Sequence, residues 1–217
     1  GWSLGFSGEH YNLYPKSNSV GWNFRDKFHY GNLINASSSA RMHYGSVDFT
    51  YGSHYIFRPL KNFDIRLGGA VQLFGDIKYL SRNVNNIASG NVSFNFLATL
   101  AFSYDAQLTP DFRLGASYNI ESPLIGCRFA PNYGESYYEI YLRLPDLSKN
   151  VTFTSLHNHQ AVAGNLRLNL VFKNKVVLFL GFTHDNDYFR YSNSLFYVSD
   201  LSGSIGLAFR LETINIK

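Results

Sequence analysis

Residues 91–120 read NVSFNFLATLAFSYDAQLTPDFRLGASYNI. From Val92 to Tyr104 every even position is apolar: Val92, Phe94, Phe96, Ala98, Leu100, Phe102 and Tyr104. The odd positions are mostly small or polar, among them Asn91, Ser93, Asn95, Thr99 and Ser103. After Thr109-Pro110-Asp111 the alternation resumes with Phe112, Leu114, Ala116 and Tyr118. A period of two with a Pro-Asp break predicts two strands and a tight turn. The first strand stays two-faced for about twice the usual five or six residues. The fold is decided by what its even side faces.

The same alternation fills the rest of the chain. Val47, Phe49, Tyr51, Tyr55 and Phe57 oppose Asp48, Thr50 and His54. Phe63, Ile65, Leu67, Val71, Leu73, Ile77 and Tyr79 oppose Asp64, Arg66, Gln72, Asp76 and Lys78. Leu166, Leu168, Leu170 and Phe172 oppose Asn165, Arg167 and Asn169, and Leu178, Leu180 and Phe182 follow. Near the end, Ile205, Leu207, Phe209 and Leu211 oppose Ser204, Gly206 and Arg210.

Composition narrows the reading. Aromatic residues make up 17% of the 217 residues, and charged residues only 16%, against roughly 25% in an ordinary globular chain. Mean hydropathy is nevertheless −0.15. Few charges, many aromatics and a neutral mean fit a transmembrane barrel, whose outward apolar and inward polar residues cancel along each strand. A soluble β-sandwich also alternates, but with shorter strands and a more charged outer face. Val176–Phe182 is the strongest apolar run, far short of the roughly 20 residues of a helical span. A removed export signal is expected. The single Cys127 excludes an intramolecular disulfide. The net charge of +4 is scattered, so nucleic acid is not an expected partner.

Short and long connections alternate. Tight ones are expected at Pro59–Asn62, Thr109–Asp111 and Lys173–Lys175, and longer ones near Ser81–Ser89, Glu121–Gln160 and Tyr188–Ser194. Outer-membrane barrels have short periplasmic turns and long extracellular loops. With the tight turns in the periplasm, strands near 22–36, 42–58, 63–80, 90–107, 111–121, 160–172, 175–188 and 196–211 alternate in direction. The expected fold is therefore an all-β, antiparallel up-and-down transmembrane β-barrel of about eight strands, with the C-terminus periplasmic. Ten strands result if Gly1–Tyr11 and Tyr137–Leu144 also span. A single domain over 1–217 is expected, with 1–21 an N-terminal arm or extra strand and 121–160 a long extracellular loop.

Residues 122–140 read SPLIGCRFAPNYGESYYEI. This resembles a Bacteroidota outer-membrane β-barrel family of unknown function, whose members carry Pro-Leu-Ile-Gly followed by Phe-x-Pro-x-Tyr-Gly-x-Ser-Tyr-Tyr-Glu-Ile. The stretches matching here are Pro123–Gly126 and Phe129–Ile140. Asn85-Asn86-Ile87-Ala88 is similar to the family's Asn-Asn-Pro-Ala, with Ile87 in place of the proline. The resemblance runs from Trp22 onward and is poor over the first 20 or so residues. It implies the barrel fold and the outer-membrane location, and no activity.

Candidate chemistry lies mainly on the inward positions. Lys27, His29, Asp48, Asp64, Arg66, Asp76, Lys78, Arg113, Arg167 and Arg210 are expected there. A small barrel is filled by its side chains, and buried charges must pair. A plugging network is favoured over a narrow ion path. His184-Asp185-Asn186-Asp187 at an outer strand end could act as a general base pair or hold a cation bridging lipid phosphates. A solvated strand end is the plainer reading. His157 and His159 lack the further ligands of a zinc site, and Cys127 reads as a buried loop thiol. No catalytic residue, metal or cofactor is assigned. Tyr133, Tyr137, Tyr138 and Tyr141 in the long loop suit a protein contact, or a loop folded over its own barrel mouth. The expected function is a non-enzymatic accessory or scaffolding subunit of a larger outer-membrane complex, with export or barrel-assembly machinery a candidate host. Its partners would be outer-membrane lipid and other outer-membrane proteins. A lipid- or peptide-modifying barrel enzyme and a small channel are the alternatives.

Overall fold

A computed structural model describes residues 2–14, 17–34, 41–80, 88–129, 142, 150–173, 176–191 and 194–209. Ten strands form one antiparallel sheet: β1 (Trp2–Leu13), β2 (Val20–Ile34), β3 (Arg41–Leu60), β4 (Phe63–Leu80), β5 (Ala88–Thr109), β6 (Phe112–Phe129), β7 (Val151–Ser155), β8 (His159–Phe172), β9 (Val176–Tyr191) and β10 (Ser194–Phe209). Neighbours in sequence are neighbours in space, so the topology is up-and-down. β7 and β8 both pair with β6, β7 along its last residues and β8 along its first. Together they form one interrupted row, which leaves nine rows in all.

The tight turns fall where the sequence places them. Asn62 between β3 and β4 has φ 68° and Lys173 after β8 has φ 48°, the left-handed region that Asn tolerates better than most residues. The Pro110-Asp111 turn lies beside the latter, with the Lys173 amide donating to the Asp111 carbonyl. The β1–β2 connection sits at this same lower end, where the Ile56 amide donates to the Ser19 carbonyl.

The strand count and the long connections need correction. Of the two readings of 1–21, arm or extra strand, Trp2–Leu13 takes the second and pairs with β2 through its whole length, its alternation matching the pleat. The count is ten and not the expected eight, the added strands being β1 and the five-residue β7; Tyr137–Leu144, apart from Leu142, lies outside the described residues. The 121–160 loop is shorter than expected, since β6 runs on to Phe129 and strand resumes at Val151. A bulge between the pairs Phe96–Ile125 and Leu97–Pro123 lets the ladder pass Pro123. The expected Tyr188–Ser194 loop is likewise mostly strand, as β9 reaches Tyr191.

Burial is inverted relative to a soluble sheet protein. Only Ile56, Ala70, Leu97, Val171 and Phe189 are buried apolar side chains among the described residues. Phe96 is 46% exposed and Leu168 41%, while Asn95, next to Phe96 on β5, is 4% exposed and Thr50 1%. The even side of the opening stretch is thus the outer face of a curled sheet, and the polar side is its inner face. β1 and β10 are not paired with each other among the described residues, and both run downward.

Candidate functional site: the ion-paired inner face

The register places Lys27, His29, Asp48, Asp64, Arg66, Asp76, Lys78, Arg113 and Arg167 on the inner face, as the alternation predicts. Arg210 and the four tyrosines Tyr133, Tyr137, Tyr138 and Tyr141 lie outside the described residues.

The centre of this face is held by two residues the alternation had not singled out. Arg25 on β2 grips Glu121 on β6 with both guanidinium nitrogens, each 2.6 Å from a carboxylate oxygen. Three strands lie between them. On a flat sheet four strand spacings would separate the backbones by about 19 Å, beyond the joint reach of the two side chains. The sheet must curl for the pair to form, and the bidentate geometry gives the curl a defined lock. Arg25 also donates to Thr50 Oγ1 at 3.3 Å, and Thr50 donates to Asp48 at 2.8 Å. Gln72 donates to the other Asp48 oxygen at 2.9 Å, and Asn95 donates to Gln72 and to Ser93. A continuous polar chain therefore runs from β6 back across β2, β3, β4 and β5. Arg25 shares the parity of Lys27 and His29, and Glu121 that of Arg113, so both were readable by extension; Glu121 was missed because the strand was taken to end there.

Smaller clusters flank this chain. Toward the lower end Tyr11 of β1 stacks on His54 with centroids 5.2 Å apart, under the Arg66 guanidinium at 5.3 Å. Asp76 accepts from Asn91 at 3.0 and 3.1 Å and faces Lys78 at 3.8 Å. Arg167 lies 4.2 Å over the Phe179 ring and donates to Asn169. Near the upper end Asp187 meets His159 at 3.0 Å and Arg128 at 3.5 Å, and Arg128 covers the Phe189 ring. A small pocket lined by Glu121, Arg66 and His54 measures about 30 Å³, room for about one water molecule.

The HDND motif does not act as a unit. Alternation turns His184 to the outer face, where it stacks on Tyr118, and turns Asp185 and Asp187 inward. His157 and His159 do not converge either: His157 bonds the Ser155 hydroxyl, and His159 is buried against Asp187. Cys127 is exposed, on the outer side of β6 opposite Phe94, not a buried loop thiol.

No curated protein and no solved structure matches this chain. One family's sequence profile matches residues 1–193, from β1 through β9. The chain belongs to the family described as protein of unknown function (DUF3316).

Proposed function

We propose that this chain is an integral outer-membrane β-barrel protein with a filled interior, serving as a non-enzymatic accessory or scaffolding subunit of a larger outer-membrane assembly. The observation that carries this reading is the inverted burial: large apolar side chains on the outer face, and an ion-paired, hydrogen-bonded network inside. Exposed aromatics include Trp2, Tyr30 and Tyr79 toward the upper end and Tyr55 and Phe57 toward the lower, positions that interfacial girdles would occupy. The scaffolding reading is supported by the inner-face network, in which Asp187 is held by His159 and Arg128 and His184 turns to the other face.

The test has two stages. Membranes from producing cells are washed with alkaline carbonate and the protein is floated with lipid vesicles. It is then extracted in mild detergent, purified by a tag, and its mass measured. Retention in the membrane and a stable heteromeric complex are expected. Release by carbonate would overturn the membrane reading, and a monomer that hydrolyses lipid would overturn the scaffold.

A further inference from the structure

The outer face is not uniformly ridged. Toward the upper end a groove of about 600 Å³ crosses β1 to β5. Its walls are Phe6, Phe28, Val47, Ile77 and Val92, and its floor is the bare backbone of Gly45 and Gly75. Those glycines make the depression: they stand at outward positions where a side chain would otherwise fill the space. Built-in Cβ atoms there would meet only ordinary contacts, 3.6 Å to Ile77 at Gly45 and 3.7 Å to Val47 at Gly75. The groove is therefore no by-product of crowding.

Its upper rim is polar and cationic. Tyr30 Oη and His43 Nδ1 share a hydrogen bond of 2.7 Å, and Trp2 and Tyr79 pack against this pair. Arg41 precedes His43 by two residues at the start of β3 and so faces the same side. It lies about 13 Å from Gly45, four residues of extended chain. An apolar trough ending at a cation beside hydroxyl and imidazole groups complements one kind of molecule, an acyl chain joined to an anionic phosphate headgroup.

We infer that this groove is a specific site for one acidic phospholipid, with an acyl chain over Gly45 and Gly75 and the phosphate at Arg41. The inference rests on the membrane reading above. Arg41 supplies two parallel donors to phosphate oxygens, and the neighbouring Tyr30–His43 pair offers further polar contact.

The probe is phosphatidylglycerol with brominated acyl chains, titrated into phosphatidylcholine vesicles holding the reconstituted protein. Trp22→Phe leaves Trp2, on the rim, as the reporter of bromine quenching. Saturation of Trp2 quenching is expected at a phosphatidylglycerol fraction about tenfold below that of random contact. Arg41→Gln should move saturation toward the random value. Gly75→Val should abolish the selective component by filling the floor, and Gly45→Ala is the milder second variant. Flotation and heat-resistant electrophoretic mobility report whether each variant is folded. Protein that floats but is quenched alike in the parent and in all folded variants would overturn the lipid site alone. So would a second copy or another protein cross-linked across the groove and lost in Gly75→Val. Failure to float would overturn the membrane reading, and the site with it.

Discussion

Arg25 and Glu121 carry a load out of proportion to their number. Both are largely buried, and each would be left an uncompensated charge if the other were removed. Breaking such a pair costs about 3–5 kcal/mol, whereas replacing both partners with apolar groups of similar size is often close to neutral. Glu121→Ala is therefore expected to lower stability by about 3–5 kcal/mol, read from urea unfolding of the reconstituted protein. Arg25→Met combined with Glu121→Leu should recover most of that loss. A double variant as unstable as the single one would mean that the pair does more than neutralise itself. Lys27, on the same face two residues from Arg25, and Asp48 share this region, so the cycle should be run with Asp48 intact.

Each strand presents two surfaces, and substitutions on them should behave oppositely. Phe96 and Leu168 face outward on β5 and β8. In water, an arginine at either position would be harmless; in a bilayer it costs about 2–4 kcal/mol near the midplane. Phe96→Arg and Leu168→Arg are expected to impair folding into vesicles while leaving the inner network untouched. Asn95→Ala, one residue from Phe96 but on the other face, strips a hydrogen bond from Gln72 and one from Ser93. Its expected cost is about 1–3 kcal/mol, from the buried acceptor left unpaired. Measured side by side in vesicles and in lipid-free detergent, the arginine variants should respond to the surroundings and Asn95→Ala should not. Equal behaviour in both media would argue against lipid contact. The β6 bulge is a further local device. Past Pro123 the inner parity changes from odd to even, so Arg128 turns in to meet Asp187 and Phe189.

The assembled molecule is a curled sheet whose interior is bridged across its width. Nine rows of alternating direction leave β1 and β10 both running downward among the described residues. Pairing them directly would be parallel, unlike every other neighbouring pair among the described residues. The Arg25–Glu121 bridge spans β2 to β6, and a small pocket of about 30 Å³ lies beside it; in a filled barrel of this kind no broad water path is expected. Planar-bilayer recordings are expected to show no large, steady conductance. Long-lived openings of porin size would overturn the filled interior.

Alternation along single strands was enough to determine the all-β up-and-down sheet, its three tight turns and the inward assignment of Lys27, Asp48, Arg66 and their companions. The period of two is a property of the extended chain itself, so it can be read without knowing any neighbour. What the sequence alone could not reach depends on distances between strands. The curl brings Arg25 to Glu121 across 96 positions. The β6 bulge reverses the parity that would send Arg128 outward, and pairing with β2 decides between the arm and the strand that the alternation of Trp2–Leu13 left open. The same cross-strand register sets Gly45 and Gly75 side by side with Val47 and Ile77. Each glycine alone is an unremarkable break in a strand; a groove exists only where adjacent rows put them together.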